Sequence, residues 1–105
     1  MTTHDLKHLG ALTQLRKLNL GYRDIKNADI AHLKGLVKLR ELDLSFTEIT
    51  DAGLIHLKDM TELQSLKLSE VKINGSGLVH LKGLSELRSL YLGGTQDRGK
   101  EGSLV

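Results

Sequence analysis

The feature that most constrains this 105-residue chain is a 24-residue repeat that runs through nearly all of it without a gap. The cleanest copy, residues 36–59, is marked by Leu36, Leu39, Leu42, Leu44, Thr47, Ile49, Gly53, Leu54 and Leu57. A shift of 24 lands on Met60, Leu63, Leu66, Leu68, Val71, Ile73, Gly77, Leu78 and Leu81. The opposite shift lands on Leu12, Leu15, Leu18, Leu20, Arg23, Ile25, Asp29, Ile30 and Leu33, and a fourth copy opens at Leu84. A fixed period of this length is the mark of a solenoid, in which each unit buries its apolar face only against its neighbours. The expected organisation is one repeat domain over residues 1–95: a half repeat at 4–11, full repeats at 12–35, 36–59 and 60–83, and a partial one at 84–95. Polar residues 96–105 read as a flexible tail.

Inside each block the apolar period changes. Around Leu42 and Leu44 a spacing of two predicts a strand, with Glu41, Asp43 and Ser45 on the opposite side. Around Leu54, Leu57 and Met60 a spacing of three predicts a short helix or helical turn. Thr50 or Asp51 is placed to accept hydrogen bonds from the first amides of that helix, as is Asn74 in the next unit. Residues 4–9, with Leu6 and Leu9 in phase with Ile30 and Leu33, read as a short amphipathic helix covering the first coil.

The run Leu39-x-x-Leu42-x-Leu44-x-x-Thr47-x-Ile49-Thr50-Asp51-Ala52-Gly53-Leu54-x-x-Leu57 resembles the leucine-rich repeat, in the 24-residue variety familiar from bacterial proteins, with Thr where Asn is usual. The Ile-Thr-Asp-x-Gly-Leu stretch is also similar to the repeats of ribonuclease-inhibitor-like proteins. The resemblance implies an α/β leucine-rich-repeat solenoid of about four coils, a right-handed β-α superhelix. It further implies a parallel sheet on the concave face, short helices on the convex face and a non-catalytic role in binding proteins. Two departures matter. The inward polar position, which in such repeats ties neighbouring turns together, reads Arg23, Thr47, Val71 and Thr95, so irregularity is expected near Val71, which has no donor. After Thr95 the pattern stops.

Composition narrows the function classes. Fifteen basic and thirteen acidic residues leave a net charge of +2, too little field to favour nucleic acid or an anionic membrane. Without cysteine there is no disulfide framework and no thiolate chemistry. The start lacks the long apolar run of a signal peptide, so the chain reads as cytoplasmic. His8, His32, His56 and His80 recur once per coil. No carboxylate or thiolate recurs beside them, so they read as half-buried repeat residues, with no metal and no cofactor implied. Lys34, Lys58 and Lys82 read as a solvated row, and no catalytic constellation stands out.

The informative surface is the outward side of the strands. All three aromatics, Tyr22, Phe46 and Tyr91, fall there, although a core was available for Phe46. Adjacent strands stand about 4.8 Å apart, so Tyr22 and Phe46 are expected to touch. Lys17 with Glu41, and Asp43 with Lys67, are neighbouring opposite charges. Tyr22, Glu41, Asp43, Phe46, Lys67 and Tyr91 are therefore the candidate partner-binding residues, and the partner is another protein. The alternative is a structural or self-associating segment of a repeat scaffold. It draws on Leu84, Leu87, Leu90 and Leu92, whose outer sides are expected to be half-covered in the last coil. Leu104 and Val105, a further repeat or a second copy are the candidates to cover them.

Overall fold

The computed structural model describes residues 3–94; Thr95, the expected tail and its Leu104 and Val105 lie outside the described residues. Helix α1 (Thr3–Gly10) is followed by four short strands, β1 (Lys17–Asn19), β2 (Glu41–Asp43), β3 (Ser65–Lys67) and β4 (Ser89–Tyr91). They form one parallel sheet in the order β1-β2-β3-β4. The register keeps the period of the sequence: Leu18 lies beside Leu42, Leu42 beside Leu66 and Leu66 beside Leu90. Each coil is thus an α/β unit of a leucine-rich-repeat solenoid, and the apolar residue at the centre of each strand points into a core continuous from Leu6 to Leu92.

The chain leaves each strand through the same turn. Tyr22, Phe46, Glu70 and Gly94 all take a left-handed backbone, with φ of 62°, 59°, 58° and 79°. Beyond this turn the expected inward polar slot is only partly inward. Arg23 is exposed, because a guanidinium has no buried partner there, whereas Thr47 and Val71 are buried. Thr47 Oγ1 donates to the Leu44 carbonyl at 2.7 Å and so closes its own coil rather than tying two coils together. The irregularity expected at Val71 does not occur. Its turn repeats the backbone of the others at Glu70, and the Ile73 N–H donates to the Val71 carbonyl at 3.1 Å as the Ile25 N–H does to Arg23 at 2.9 Å.

On the far side of the coil, helix α2 (Asn27–Ile30) runs into a 3₁₀ turn at Ala31–Leu33, while the next two coils carry 3₁₀ segments at Asp51–Leu57 and Ser76–Leu81. The difference follows one repeat position. It is Asp29 within α2, but Gly53 and Gly77 in the 3₁₀ coils, where a poor α-helix former lets the preceding coil come close. A Cβ on Gly53 would overlap the side-chain oxygen of Asn27, and one on Gly77 would lie 2.6 Å from the Asp51 carbonyl oxygen.

That close approach is stapled by side chains reaching forward one coil. Asn27 Nδ2 donates to Thr50 Oγ1 at 2.7 Å, and the Thr50 N–H donates to Asn27 Oδ1 at 2.8 Å. One repeat later, Asp51 accepts from the N–H groups of Asn74 (2.8 Å) and Gly77 (2.6 Å). The capping expected of Thr50 and Asp51 is therefore replaced: their oxygens serve the junction between coils, and only Asn74 acts locally, accepting from the Ser76 N–H at 3.0 Å. At the front of the solenoid, Leu6 of α1 is buried against the first coil, and a Cβ on Gly10 would overlap the His32 carbonyl oxygen.

The leucines of the two outermost coils differ in an instructive way. Leu36, Leu39 and Leu42 are fully buried, but their first-coil equivalents are not: Leu12 is 52% exposed, and Leu15 and Leu18 are partly so. A coil's leucines are thus covered largely by the coil before it, and α1 replaces only the helical half of that cover. Leu84, Leu87, Leu90 and Leu92 are all buried. The half-exposed outer sides expected of these leucines are not observed; among the described residues the exposed apolar end is the front of the first coil.

Candidate functional site

Register sets out the concave face as two rows of outward side chains. One is Lys17, Glu41, Ser65 and Ser89; the other is Asn19, Asp43, Lys67 and Tyr91. Lys17 Nζ lies 3.2 Å from Glu41 Oε2, and both side chains are well exposed, so the pair adds about 0–1 kcal/mol. Asp43 is only half available. Its Oδ1 accepts the Ser45 N–H at 2.9 Å and fastens the end of the strand, as Asn19 Oδ1 does for Gly21 at 2.9 Å. Lysine at the next position accepts nothing, and the Ser69 N–H turns instead to Ser45 Oγ at 3.1 Å, which accounts for Ser45 being buried.

Asp43 and Lys67, neighbours of opposite charge, form no ion pair within 4.0 Å. Lys67 Nζ sits 5.4 Å from the centre of the Tyr91 ring, a cation–π contact across β3 and β4. Glu41, Asp43 and Lys67 do come together with Lys17, Asn19 and Ser65 around a shallow depression of ≈ 280 Å³ floored by Leu18 and Leu42.

The aromatics divide between two places. Tyr91 stands on β4 in the row of Asp43 and Lys67, 49% exposed. Tyr22 and Phe46 lie beyond the strands, on the turn at the lip of the sheet. Their rings stack at 4.4 Å between centroids with planes 10° apart, while Tyr22 remains 79% and Phe46 45% exposed. The same lip row continues with Glu70 and Gly94. Glu70 was not legible as a site residue from its type. The signal that finds it is Gly94: glycine in one copy of a fixed repeat position marks left-handed backbone in every copy.

Two positions past the lip, Asp24 and Glu48 occupy equivalent places. A hydrogen bond from Asp24, and then its charge, raise the Glu48 carboxyl above its ordinary value of 4.5, with Lys26 and Lys72 pulling the other way. On the convex side His32, His56 and His80 are half-buried and Lys34, Lys58 and Lys82 exposed. Lys34, His56 and Lys58 line a depression of ≈ 420 Å³ beside Ile55 and Asp59. Among the described residues no three His, Asp or Glu side chains are grouped to hold a metal ion, and no helix is long and apolar enough to cross a membrane.

Comparison with known proteins agrees with this geometry. The family model for the leucine rich repeat matches residues 37–96. Among solved structures, an internalin from Listeria monocytogenes superposes with a TM-score of 0.75 at 34% sequence identity, over 85% of this chain and 24% of that one. The chain therefore spans about a quarter of the length of that internalin structure. No curated protein matches the sequence. With a 24-residue period, a parallel strand in every coil and a family match over more than half its length, the chain belongs to the leucine-rich repeat family.

Proposed function

We propose that this chain is a non-catalytic protein-interaction module that engages a partner protein on its concave sheet face and the adjoining lip. The observation that carries the reading is the Tyr22–Phe46 stack. Two large rings sit largely in solvent at the edge of the core, both on left-handed backbone that β-carbon-bearing residues adopt at a cost. Exposed aromatics near charged groups have the composition of binding hot spots; Glu41, Asp43 and Lys67 supply polar contacts in the adjoining concavity, and Tyr91 lies beside Lys67. Its likeness to an internalin supports the class of function, and the partner and the face are the proposal.

The test is affinity capture with the immobilised chain, comparing wild type, the Tyr22→Ala/Phe46→Ala pair and the convex pair Lys58→Ala/Lys82→Ala, with bound proteins identified by mass spectrometry. Capture lost only in the aromatic pair, with unfolding midpoints retained, is the expected result. Loss only in the convex pair would move the interface to the other face.

A second reading, a scaffold segment that stacks against another leucine-rich coil, draws on the front of the first coil. There Ala11, Leu12 and Leu15 line an apolar depression of ≈ 440 Å³.

A further inference from the structure

The lip row holds four equivalent residues on one backbone conformation: Tyr22, Phe46, Glu70 and Gly94, all at positive φ. Left-handed backbone is strained for a residue with a β-carbon, and glycine avoids that strain. Gly94 shows that the turn forms without a side chain. Three coils nevertheless hold large side chains at this position, all exposed. What they present is a flat aromatic slab followed, on the next coil, by Glu70, whose carboxylate lies over Gly94.

The carboxylate is free to act. No cationic group of the described residues lies within 4.0 Å of it: the ion pairs join Lys17 to Glu41 and Arg40 to Glu62, and Lys67 faces the Tyr91 ring. Its place is cleared by Gly94, where a Cβ would overlap the Glu70 carboxylate. The π face of an aromatic ring attracts a cation and a carboxylate attracts the same cation; the Phe46 and Glu70 backbones stand one strand spacing, about 4.8 Å, apart, and the exposed Glu70 side chain, which lies over Gly94, has to turn back across its own coil to share a cation held on the ring. A planar guanidinium fits both at once, because it stacks flat on a ring and offers donors along its edge, whereas an ammonium is a strongly hydrated point charge.

We propose that the lip row of Tyr22, Phe46 and Glu70 takes an arginine side chain of the partner protein, its guanidinium laid on the aromatic slab and hydrogen-bonded to Glu70. This assignment rests on the interaction-module reading and names the partner chemistry of that same face.

The experiment is NMR titration of the full, isotope-labelled chain with the peptide acetyl-Gly-Arg-Gly-amide and its citrulline and lysine counterparts. The arginine peptide is expected to give saturable shifts at the Tyr22 and Phe46 rings and at Glu70. Citrulline, with the same shape and no charge, should bind about tenfold more weakly, and so should the arginine peptide with Glu70→Gln. Phe46→Ala should weaken it about three-fold or more. Unchanged amide spectra away from the lip verify that each variant is folded. Equal shifts from arginine and citrulline, shifts confined to Glu41 and Asp43, or no saturable shift with arginine would each overturn the assignment. Glu70→Gln is also run in the capture experiment. Capture lost with the aromatic pair but kept with Glu70→Gln leaves the concave-face module standing and rejects the arginine; capture indifferent to both rejects the lip as the interface and the arginine with it.

Discussion

On the side away from the sheet, Asn27 bridges the first two coils through its side chain, and removing it has a size that can be worked out. Asn27→Ala deletes two hydrogen bonds, Asn27 Nδ2 to Thr50 Oγ1 and the Thr50 N–H to Asn27 Oδ1. At about 0.5–1.5 kcal/mol each they amount to about 1–3 kcal/mol, and a half-buried Thr50 N–H without its partner moves the total toward the upper end. The expected loss is therefore about 2–3 kcal/mol. In a domain of this size that lowers the melting midpoint by roughly 10–20 °C. Equilibrium urea unfolding measures it, with the m-value showing whether the transition stays two-state.

A second substitution isolates the cause. Gly53→Ala places a methyl where Asn27 Oδ1 lies, so in the wild-type background it breaks the same two bonds and adds overlap. With Asn27 already alanine, that oxygen is absent and the new methyl keeps only an ordinary contact with the Cα of residue 27 at 3.5 Å. The cost of Gly53→Ala should then fall by about 1 kcal/mol or more, a coupling well above the 0.3–0.5 kcal/mol, roughly, within which independent sites add. Additive losses, or an Asn27→Ala variant within about 0.5 kcal/mol of wild type, would refute the staple as the element holding these coils together.

Leu66→Ala, at a fully buried position between Leu42 and Leu90, should cost about 2–5 kcal/mol; a variant melting at the wild-type midpoint would mean that this register is not the one that carries the core. Glu48 keeps its proton to higher pH folded than unfolded, so its contribution to stability is fully present below the ordinary 4.5 and is lost as pH rises through the raised folded value. Asp24→Ala should bring the Glu48 carbon-detected titration back toward 4.5, and an unmoved titration would sink the pairing. Glu70→Gly should leave the coil folded and raise its stability by about 1 kcal/mol, because glycine takes positive φ freely; a lower urea midpoint would show that the side chain supports the turn.

Much of this architecture can be read from residues because a solenoid ties sequence distance to spatial distance. Once the period is known, residues 24 apart are neighbours, which places β1 to β4 in register and brings Tyr22 onto Phe46. The features that escape are those in which chemically different partners compete. Lys67 has Asp43 on one side and Tyr91 on the other, and the two contacts are worth similar fractions of a kcal/mol. Their order depends on rotamers and on one Asp43 oxygen being taken by the Ser45 N–H. Arg23 occupies an inward slot by phase but not in space, since phase fixes the Cα and a four-bond side chain turns its charge to water. The direction of cover is hidden for a different reason. Every internal coil has a like coil on both sides, and the asymmetry shows only in three dimensions, where the first coil's Leu12, Leu15 and Leu18 lose cover at the front.

The lip row joins fold to function through the same periodicity. Its φ stays between 58° and 79° whether the residue is Tyr, Phe, Glu or Gly, so the coil path dictates the backbone and leaves the side chain unconstrained by packing. Four residues earlier in the same coils the situation is reversed: Leu42, Leu66 and Leu90 keep one residue type because the core dictates it. A surface position with fixed geometry and free chemistry is what a recognition surface requires, since a change there alters what is presented without disturbing how it is held. The coil spacing then does the arranging. It brings the Tyr22 and Phe46 rings to 4.4 Å, a stacking distance that neither side chain has to seek by folding back on itself. Preorganisation of this kind reduces the ordering cost of binding, because the slab exists before a partner arrives. The strain of three non-glycine residues at positive φ is the stability given up for it.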